Sequence, residues 1–263
     1  MYRRTAFVFA VVGLLLAACR PVPREDHLTV FAAASLSEPF SALADSMKVR
    51  HPGLKIDFNF AGSQILALQL TQGASADVFA SADQNWMRVV ADSGLLAGPP
   101  LVFANNHLVV IVPASNPARI ERPQDLARPK IKLVLAGEAV PVGRYARTVL
   151  AKLAKARGFS PEYQNRVLAN LVSNEESVKG VVTKVQLGEA DAGIVYSSDV
   201  TAKLSSRVLR VEIPEEENVT AVYPIAQLGH SANPALAREF LDLVLGSVGQ
   251  RVLIASGFLS PPI

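Results

Sequence analysis

Cysteine is almost absent from this sequence: Cys19 is the only one in 263 residues, so no disulfide can form within the chain. Aromatic residues are also scarce, at 6%. Hydrophobic residues nevertheless make up 50% of the chain, which excludes a disordered or low-complexity protein because ample apolar surface is available for burial. The length suits one large domain or two domains of ordinary size.

The chain also lacks a large excess of one charge. It has 26 Lys and Arg residues against 23 Asp and Glu residues, a formal net charge of +3. Two of the basic residues, Arg3 and Arg4, precede an apolar run that we interpret as part of a removed signal, which leaves 24 basic residues against 23 acidic ones and a net charge of +1. A nucleic-acid-binding surface needs clustered basic residues, so the sequence argues against a nucleic-acid partner.

Long hydrophobic runs are missing except near the N-terminus. Residues 6–18 (AFVFAVVGLLLAA) are apolar throughout, a length too short to span a bilayer and typical of a signal peptide. The run ends in Leu-Ala-Ala directly before Cys19, and a polar, proline-containing stretch follows. This arrangement resembles a bacterial lipobox, in which the cysteine is acylated and becomes the first mature residue. We therefore predict a lipoprotein signal peptide at residues 1–18 and a tether at residues 19–27.

Such a protein would lie outside the cytoplasm, on the periplasmic side, and contact the membrane only through the lipid on Cys19. The alternative is a cysteine that stands by chance beside an ordinary cleavage site, which would leave a free thiol.

Strand-like and helix-like segments alternate along the rest of the chain, which predicts an α/β architecture with mainly parallel sheets. The predicted strands cover residues 27–33, 54–60, 77–80, 108–113, 132–136, 168–173, 192–196 and 222–228. The predicted helices cover residues 35–50, 64–71, 84–92, 145–157, 178–187, 234–245 and 247–255. Polar segments near residues 103–108 and 219–224 are candidate connections between two halves of the molecule.

Four strand-to-helix junctions carry the candidate chemistry, and they lie at Ser35, Ser63, Val142 and Val178. Helix N-termini present unpaired N–H groups and a partial positive charge, so several of them around one cleft would bind an anion. The hydroxyls of the two serines would add hydrogen-bond donors. The phenol of Tyr196, at the end of a predicted strand, would add another.

Each of these residues also has an ordinary structural interpretation. Ser35 and Glu38 form an S-x-x-E pattern, which predicts a capping box with Ser35 as the N-cap of a helix. Serine is a common N-cap in any α/β protein. Tyr196 would be a core residue whose hydroxyl is satisfied by another part of the protein.

Five segments, in order along nearly the whole mature chain, decide between these interpretations. They are TVFAAASLS (29–37), FAGS (60–63), ADVFASADQNWM (76–87), VPVGRYA (140–146) and GIVYSSD (193–199). Together they resemble the substrate-binding protein of molybdate ABC transporters, and the AAASL and SADxxWM strings are specific to that family.

The resemblance implies a two-lobed periplasmic-binding-protein fold of type II. Each lobe would hold a mainly parallel sheet flanked by helices, with the ligand in the cleft between the lobes. Lobe 1 would comprise residues 28–104 plus 221–263, and lobe 2 would comprise residues 105–220. The expected partners are the molybdate oxyanion and the permease and ATPase of an ABC importer, and the protein itself is expected to be a monomer.

The resemblance also carries ligand contacts onto individual residues. Ser35 and Ser63 would contact molybdate through hydroxyl and main-chain N–H groups, Val142 and Val178 through main-chain N–H groups, and Tyr196 through its hydroxyl. Two positions depart from the family pattern as we expect it: Val142 replaces a smaller alanine, and Ser177 replaces an acidic residue. Neither change removes a main-chain donor.

The donor chemistry itself favours an oxyanion that carries no proton. A site made only of donors suits molybdate or tungstate, whereas hydrogen phosphate brings a proton that needs an acceptor. Sulfate also lacks a proton but is smaller. The alternatives that stay open are a binding protein for another tetrahedral oxyanion such as sulfate, an oxyanion sensor without a transporter, and an enzyme that processes an oxyanion.

No other chemistry is indicated by the sequence. The four histidines are scattered without metal-ligand spacing, so no cation site is predicted. A nucleophile elbow, a P-loop and a dinucleotide fingerprint are all missing from the sequence. We therefore expect no catalysis and no cofactor besides the bound ligand.

Overall fold

The computed structural model describes residues 26–261. The predicted signal peptide and Cys19 lie outside the described residues. Within residues 26–261, no helix combines the length and the apolar character needed to cross a membrane.

The elements alternate along the chain as α/β proteins require. The strands are β1 (His27–Ala33), β2 (Lys55–Ala61), β3 (Val78–Ala80), β4 (Leu101–Asn106), β5 (Leu108–Pro113), β6 (Leu133–Ala136), β7 (Leu171–Glu175), β8 (Ala192–Tyr196), β9 (Val208–Glu212) and β10 (Ala221–Gln227). The α-helices are α1 (Ser37–Arg50), α2 (Ser63–Thr71), α3 (Gln84–Asp92), α4 (Pro141–Leu153), α5 (Tyr163–Leu168), α6 (Val178–Gln186), α7 (Pro234–Leu245) and α8 (Ser247–Ala255).

These strands form two five-stranded sheets, with the orders β2-β1-β3-β10-β4 and β7-β6-β8-β5-β9. We call the unit built on the first sheet lobe 1 and the unit built on the second sheet lobe 2. In each sheet three neighbouring strands run parallel: β1 pairs with β2 and β3, and β6 pairs with β7 and β8. The remaining two strands of each sheet pair antiparallel. The predicted α/β class, with two helix-flanked sheets, is confirmed.

The chain crosses between the sheets twice. It leaves lobe 1 after β4, passes through His107 and enters lobe 2 with β5, and it returns between β9 and β10. The lobe boundaries given above stay predictions.

The central strands could be predicted from the sequence because their residues are buried and therefore apolar. All six residues of β5 (LVVIVP) are buried, because this strand lies inside its sheet between β8 and β9. In lobe 1, Phe40 packs edge-on against Phe240 with ring centroids 5.3 Å apart, which fixes α1 against α7. The β7 edge strand instead has no fully buried residue.

Some elements were not predicted or were predicted in the wrong position. The strands β4 and β9 and the helix α5 were not predicted, and the crossing at His107 falls inside the segment 103–108 that was predicted as a connection. The strand predicted at residues 168–173 begins later, because residue 168 still belongs to α5. The helix predicted from residue 145 begins at Pro141, where proline is tolerated because the first turn needs no N–H.

The capping box predicted at Ser35 is also wrong. Ser35 lies inside a short 3-10 helix (Ala34–Leu36), and the N-cap of α1 is Leu36, with no side-chain capping bond. The Ser35 hydroxyl instead makes a hydrogen bond to the hydroxyl of Tyr223, 188 residues away in the sequence. A tertiary contact has thus replaced the local cap.

Candidate functional site

All five residues predicted to contact the ligand line one cavity between the lobes. The cavity is narrow, with only about 10 Å³ open to the centre of a water molecule. Its lining comprises Ala33, Ala34, Ser35, Ala61, Gly62, Ser63 and Ala82 from lobe 1, and Val140, Pro141, Val142, Ser177, Val178 and Tyr196 from lobe 2.

Strand ends bring these residues together. The carboxyl ends of β1 and β2 lead into the Ser35 and Ser63 segments, and those of β6 and β7 lead to the starts of α4 and α6. Since parallel strands end at the same edge of a sheet, each lobe gathers its helix starts at one edge. The cavity lies where the two edges meet.

The three long helices that begin at the cavity have uncapped N-termini. The N-caps of α2, α4 and α6 are Gly62, Val140 and Ser177, and none of them makes a side-chain capping bond. In contrast, α3 begins outside the cavity lining, and Asp83 caps it by accepting a hydrogen bond from the main-chain N–H of Trp86. Unused N–H groups therefore gather where an anion would be stabilised.

Val142 and Val178 supply such main-chain donors. They occupy the first turns of α4 and α6, and among the described residues their N–H groups donate no hydrogen bond. Pro141 has no N–H, so Val142 carries the first main-chain donor of its helix. Both valine side chains are buried, which fixes the backbone that carries these donors.

The hydroxyl of Ser63 is held in a defined orientation. Its Oγ accepts a hydrogen bond of 3.0 Å from the main-chain N–H of Ala82, and the residue is 1% exposed. Because a lone pair is engaged by Ala82, the Ser63 hydroxyl proton is left to donate to another group. Ser35 Oγ lies 3.1 Å from the Tyr223 hydroxyl, and either atom can be the donor.

Tyr196 contributes a buried hydroxyl that has no hydrogen-bond partner among the described residues. An unsatisfied buried hydroxyl is costly, and it is explained when a ligand accepts its proton. Burial raises the pKa of Tyr196 well above 10, so the phenol keeps its proton. Its ring packs edge-on against Tyr223, with centroids 5.6 Å apart.

The side chains that line the cavity are all uncharged. They offer hydroxyl donors, while the helix starts offer main-chain donors. No carboxylate among the lining residues can accept a proton from a ligand or repel an anion. The arrangement can therefore hold a small anion through hydrogen bonds.

Direct contacts between the lobes surround the cavity. The indole Nε1 of Trp86 donates to the carbonyl of Ala139 at 2.8 Å, and Nε2 of Gln64 donates to the carbonyl of Glu176 at 2.8 Å. Asp83 of lobe 1 forms an ion pair with Arg144 of lobe 2. Sequence reasoning missed these contacts, because nothing in the local pattern links residues of separate lobes.

Acidic side chains near the cavity are engaged in local pairs: the Glu175 carboxylate pairs with Lys184 at 2.8 Å. Within residues 26–261, no group of three or more His, Cys, Asp or Glu residues is arranged to hold a metal ion.

Comparison with known proteins identifies the family. Residues 28–259 match the family model described as bacterial extracellular solute-binding protein. The chain belongs to this family. A protein named molybdate-binding protein ModA from Mycobacterium tuberculosis is 43% identical over 241 residues, covering 92% of this chain and 87% of the relative. The resemblance to molybdate-binding proteins is thereby confirmed.

Two solved structures of binding proteins have a similar fold. The periplasmic molybdate-binding protein of Azotobacter vinelandii is 20% identical, with a TM-score of 0.76, covering 89% of this chain and all of that chain. The sulfate-binding protein SubI of Mycobacterium tuberculosis is 16% identical, with a TM-score of 0.77, covering 89% of this chain and 86% of that chain. At these identities the likeness shows the two-lobed fold alone.

Proposed function

We propose that this solute-binding protein captures molybdate, and tungstate as its chemical analogue, and delivers it to an ABC importer. The observation that carries the proposal is the cavity between the lobes, which is lined by hydrogen-bond donors and by no charged side chain. The name of the 43% identical relative, a molybdate-binding protein, supports the same ligand for this chain.

The ligand would bridge the two lobes. Ser35 and Ser63 would donate from lobe 1, and Val142, Val178 and Tyr196 would donate from lobe 2. Because both sets of donors reach one anion only when the lobes are together, the ligand favours the closed form by its differential contacts. The importer would then recognise the closed form. No bond in the anion is made or broken in this cycle, so the proposed role is binding and not catalysis.

Sulfate is the second candidate ligand, since it is also tetrahedral and lacks a proton near neutral pH. The fold shared with a sulfate-binding protein is consistent with it. The five donors are the same for both anions, so cavity size and donor spacing would decide between them. Hydrogen phosphate is disfavoured because the lining side chains include no carboxylate to accept its proton.

A lipid anchor at Cys19 completes the proposal and places the protein outside the cytoplasm. Replacing Cys19 with serine removes the sulfur that would carry the lipid, so Cys19→Ser should move the protein from the membrane fraction to the soluble fraction. Unchanged membrane association of that variant would contradict the anchor and leave the ligand proposal intact.

Calorimetric titration of the purified protein with molybdate, tungstate, sulfate and phosphate tests the ligand directly. Recovery of chemically unchanged anion after release separates binding from an oxyanion-processing enzyme. Importer genes beside the gene for this protein would argue against a sensor that works without a transporter.

A further inference from the structure

A buried carboxylate lies beside the cavity, at the start of α3. Asp83 follows Ala82, which lines the cavity, and its side chain is 1% exposed. Its Oδ1 accepts a hydrogen bond of 2.8 Å from the main-chain N–H of Trp86, so it caps α3 within lobe 1. The cap uses one carboxylate oxygen and leaves the other facing lobe 2.

Lobe 2 supplies the partner for that second oxygen. The guanidinium of Arg144 pairs with Asp83 Oδ2, and Arg144 lies on α4 two residues after Val142. Neither Asp83 nor Arg144 is among the residues that line the cavity. The pair therefore joins the lobes without contacting a ligand there.

The charges of Asp83 and Arg144 affect how strongly an anion binds in the cavity. A carboxylate buried without a partner is strongly unfavourable, and a second negative charge close by adds repulsion. The carboxylate is close to the cavity, because Asp83 is bonded to Ala82, a residue that lines it. An anion in the cavity would therefore be repelled by Asp83 unless a cation cancels the charge.

We propose that Asp83 and Arg144 form a charge-neutralising latch that couples closure of the lobes to capture of the oxyanion. When the lobes separate, water solvates Asp83. When they close, Arg144 arrives with lobe 2 and cancels the negative charge in the same step that encloses the anion. This inference rests on the proposed function and names two residues that set affinity without touching the ligand.

A double-mutant cycle tests the latch. Arg144→Gln, Asp83→Asn and the double variant are titrated with molybdate by calorimetry, and asparagine is chosen because it also caps helices well. Arg144→Gln should weaken binding at least about tenfold, because it leaves an unpaired buried carboxylate beside the anion. Asp83→Asn should weaken binding less, and the double variant should bind more tightly than Arg144→Gln. A double variant that binds no better than Arg144→Gln would overturn the latch.

Arg166→Gln is the matched control for loss of a positive charge, since Arg166 is an exposed residue on α5 of lobe 2. It should leave molybdate affinity unchanged. Thermal unfolding of all variants checks that each one folds.

Small-angle X-ray scattering separates failure of the latch from failure of the proposed function. In molybdate at a concentration that saturates each variant, Arg144→Gln should have a larger radius of gyration than the wild type, because the closed form has lost its ion pair. Equal radii would count against the latch even if molybdate binds. If the wild type binds no oxyanion in the calorimeter, the proposed function fails, and the latch fails with it.

Discussion

A side-chain carbon on Gly62 of lobe 1 would lie 2.5 Å from the main-chain carbonyl oxygen of Glu176 in lobe 2. Real Cβ atoms do not approach that closely. The backbone of Gly62, with φ −61° and ψ 139°, is open to any residue. A Cβ would also lie 2.4 Å from Oε1 of Gln64, but that side chain can rotate away, whereas the Glu176 carbonyl belongs to the backbone of lobe 2. The close approach of the other lobe is therefore what requires glycine.

Gly62→Ala should therefore block closure while lobe 1 still folds. The added methyl group would clash with a backbone atom of the opposite lobe. This clash is relieved only if the lobes move apart. We expect molybdate binding to weaken at least about tenfold, with little change in the thermal midpoint. Gly98→Ala is the control, because a Cβ there meets nothing within 4 Å. Wild-type affinity in Gly62→Ala would show that binding does not need the lobe contact seen here.

The serine hydroxyls are tested by Ser35→Ala and Ser63→Ala. Each should lose about 1–3 kcal/mol of molybdate binding free energy, the usual value of a hydrogen bond to a charged group. Calorimetry gives the affinity, and circular dichroism confirms the fold. Ser41→Ala, at an exposed serine on α1, should bind like the wild type. Unaltered affinity in both cavity variants would remove the hydroxyls from the site.

Two tyrosines should show opposite responses to loss of the hydroxyl. Tyr196→Phe removes a buried hydroxyl with no partner in the described residues, so stability should hold or rise while molybdate affinity falls by about 1–3 kcal/mol. Tyr163→Phe removes a 2.6 Å hydrogen bond to the Pro123 carbonyl, far from the cavity, so stability should fall by about 1–2 kcal/mol with affinity unchanged. Urea unfolding and calorimetry measure both quantities. Lower stability in Tyr196→Phe would indicate a structural hydroxyl.

The unfolding free energy of the protein should depend on pH through Asp199. Burial raises its pKa above the ordinary 3.8, against the opposing effect of Lys179, whose Nζ lies 3.2 Å away. In the pH range between 3.8 and the raised pKa, the folded state binds more protons than the unfolded state, so this group's contribution to stability falls as pH rises.

Asp199→Asn cannot titrate at this position. The unfolding free energy of the wild type minus that of the variant should therefore decrease from pH 3.8 upward, as measured by urea unfolding at several pH values. A difference that stays constant or increases over that range would contradict the assignment.

Much of this fold could be predicted from the sequence, because buried central strands such as β5 are continuously apolar. The elements that were missed have weaker local patterns: β9 (VLRVE) is a short edge strand with charged residues, and β4 ends in two asparagines. The error at Ser35 has a different origin, since its partner Tyr223 comes from a distant part of the chain.

The candidate site, too, could be predicted only in part from the sequence. Its five donors were predicted because they stand in recognisable motifs at strand ends, and the structure gathers all five around one cavity. Their contact with molybdate stays a prediction. The lobe-to-lobe contacts of Gly62 and of the Asp83–Arg144 pair could not be predicted, because each depends on how two different sheets meet in space.

Calorimetric titration with four oxyanions decides which ligand the cavity binds. We expect tight one-to-one binding of molybdate and tungstate, much weaker binding of sulfate, and no measurable binding of phosphate. Preferential binding of sulfate or phosphate would contradict the ligand assignment. Failure of all four anions to bind would contradict the interpretation of the cavity as an oxyanion site.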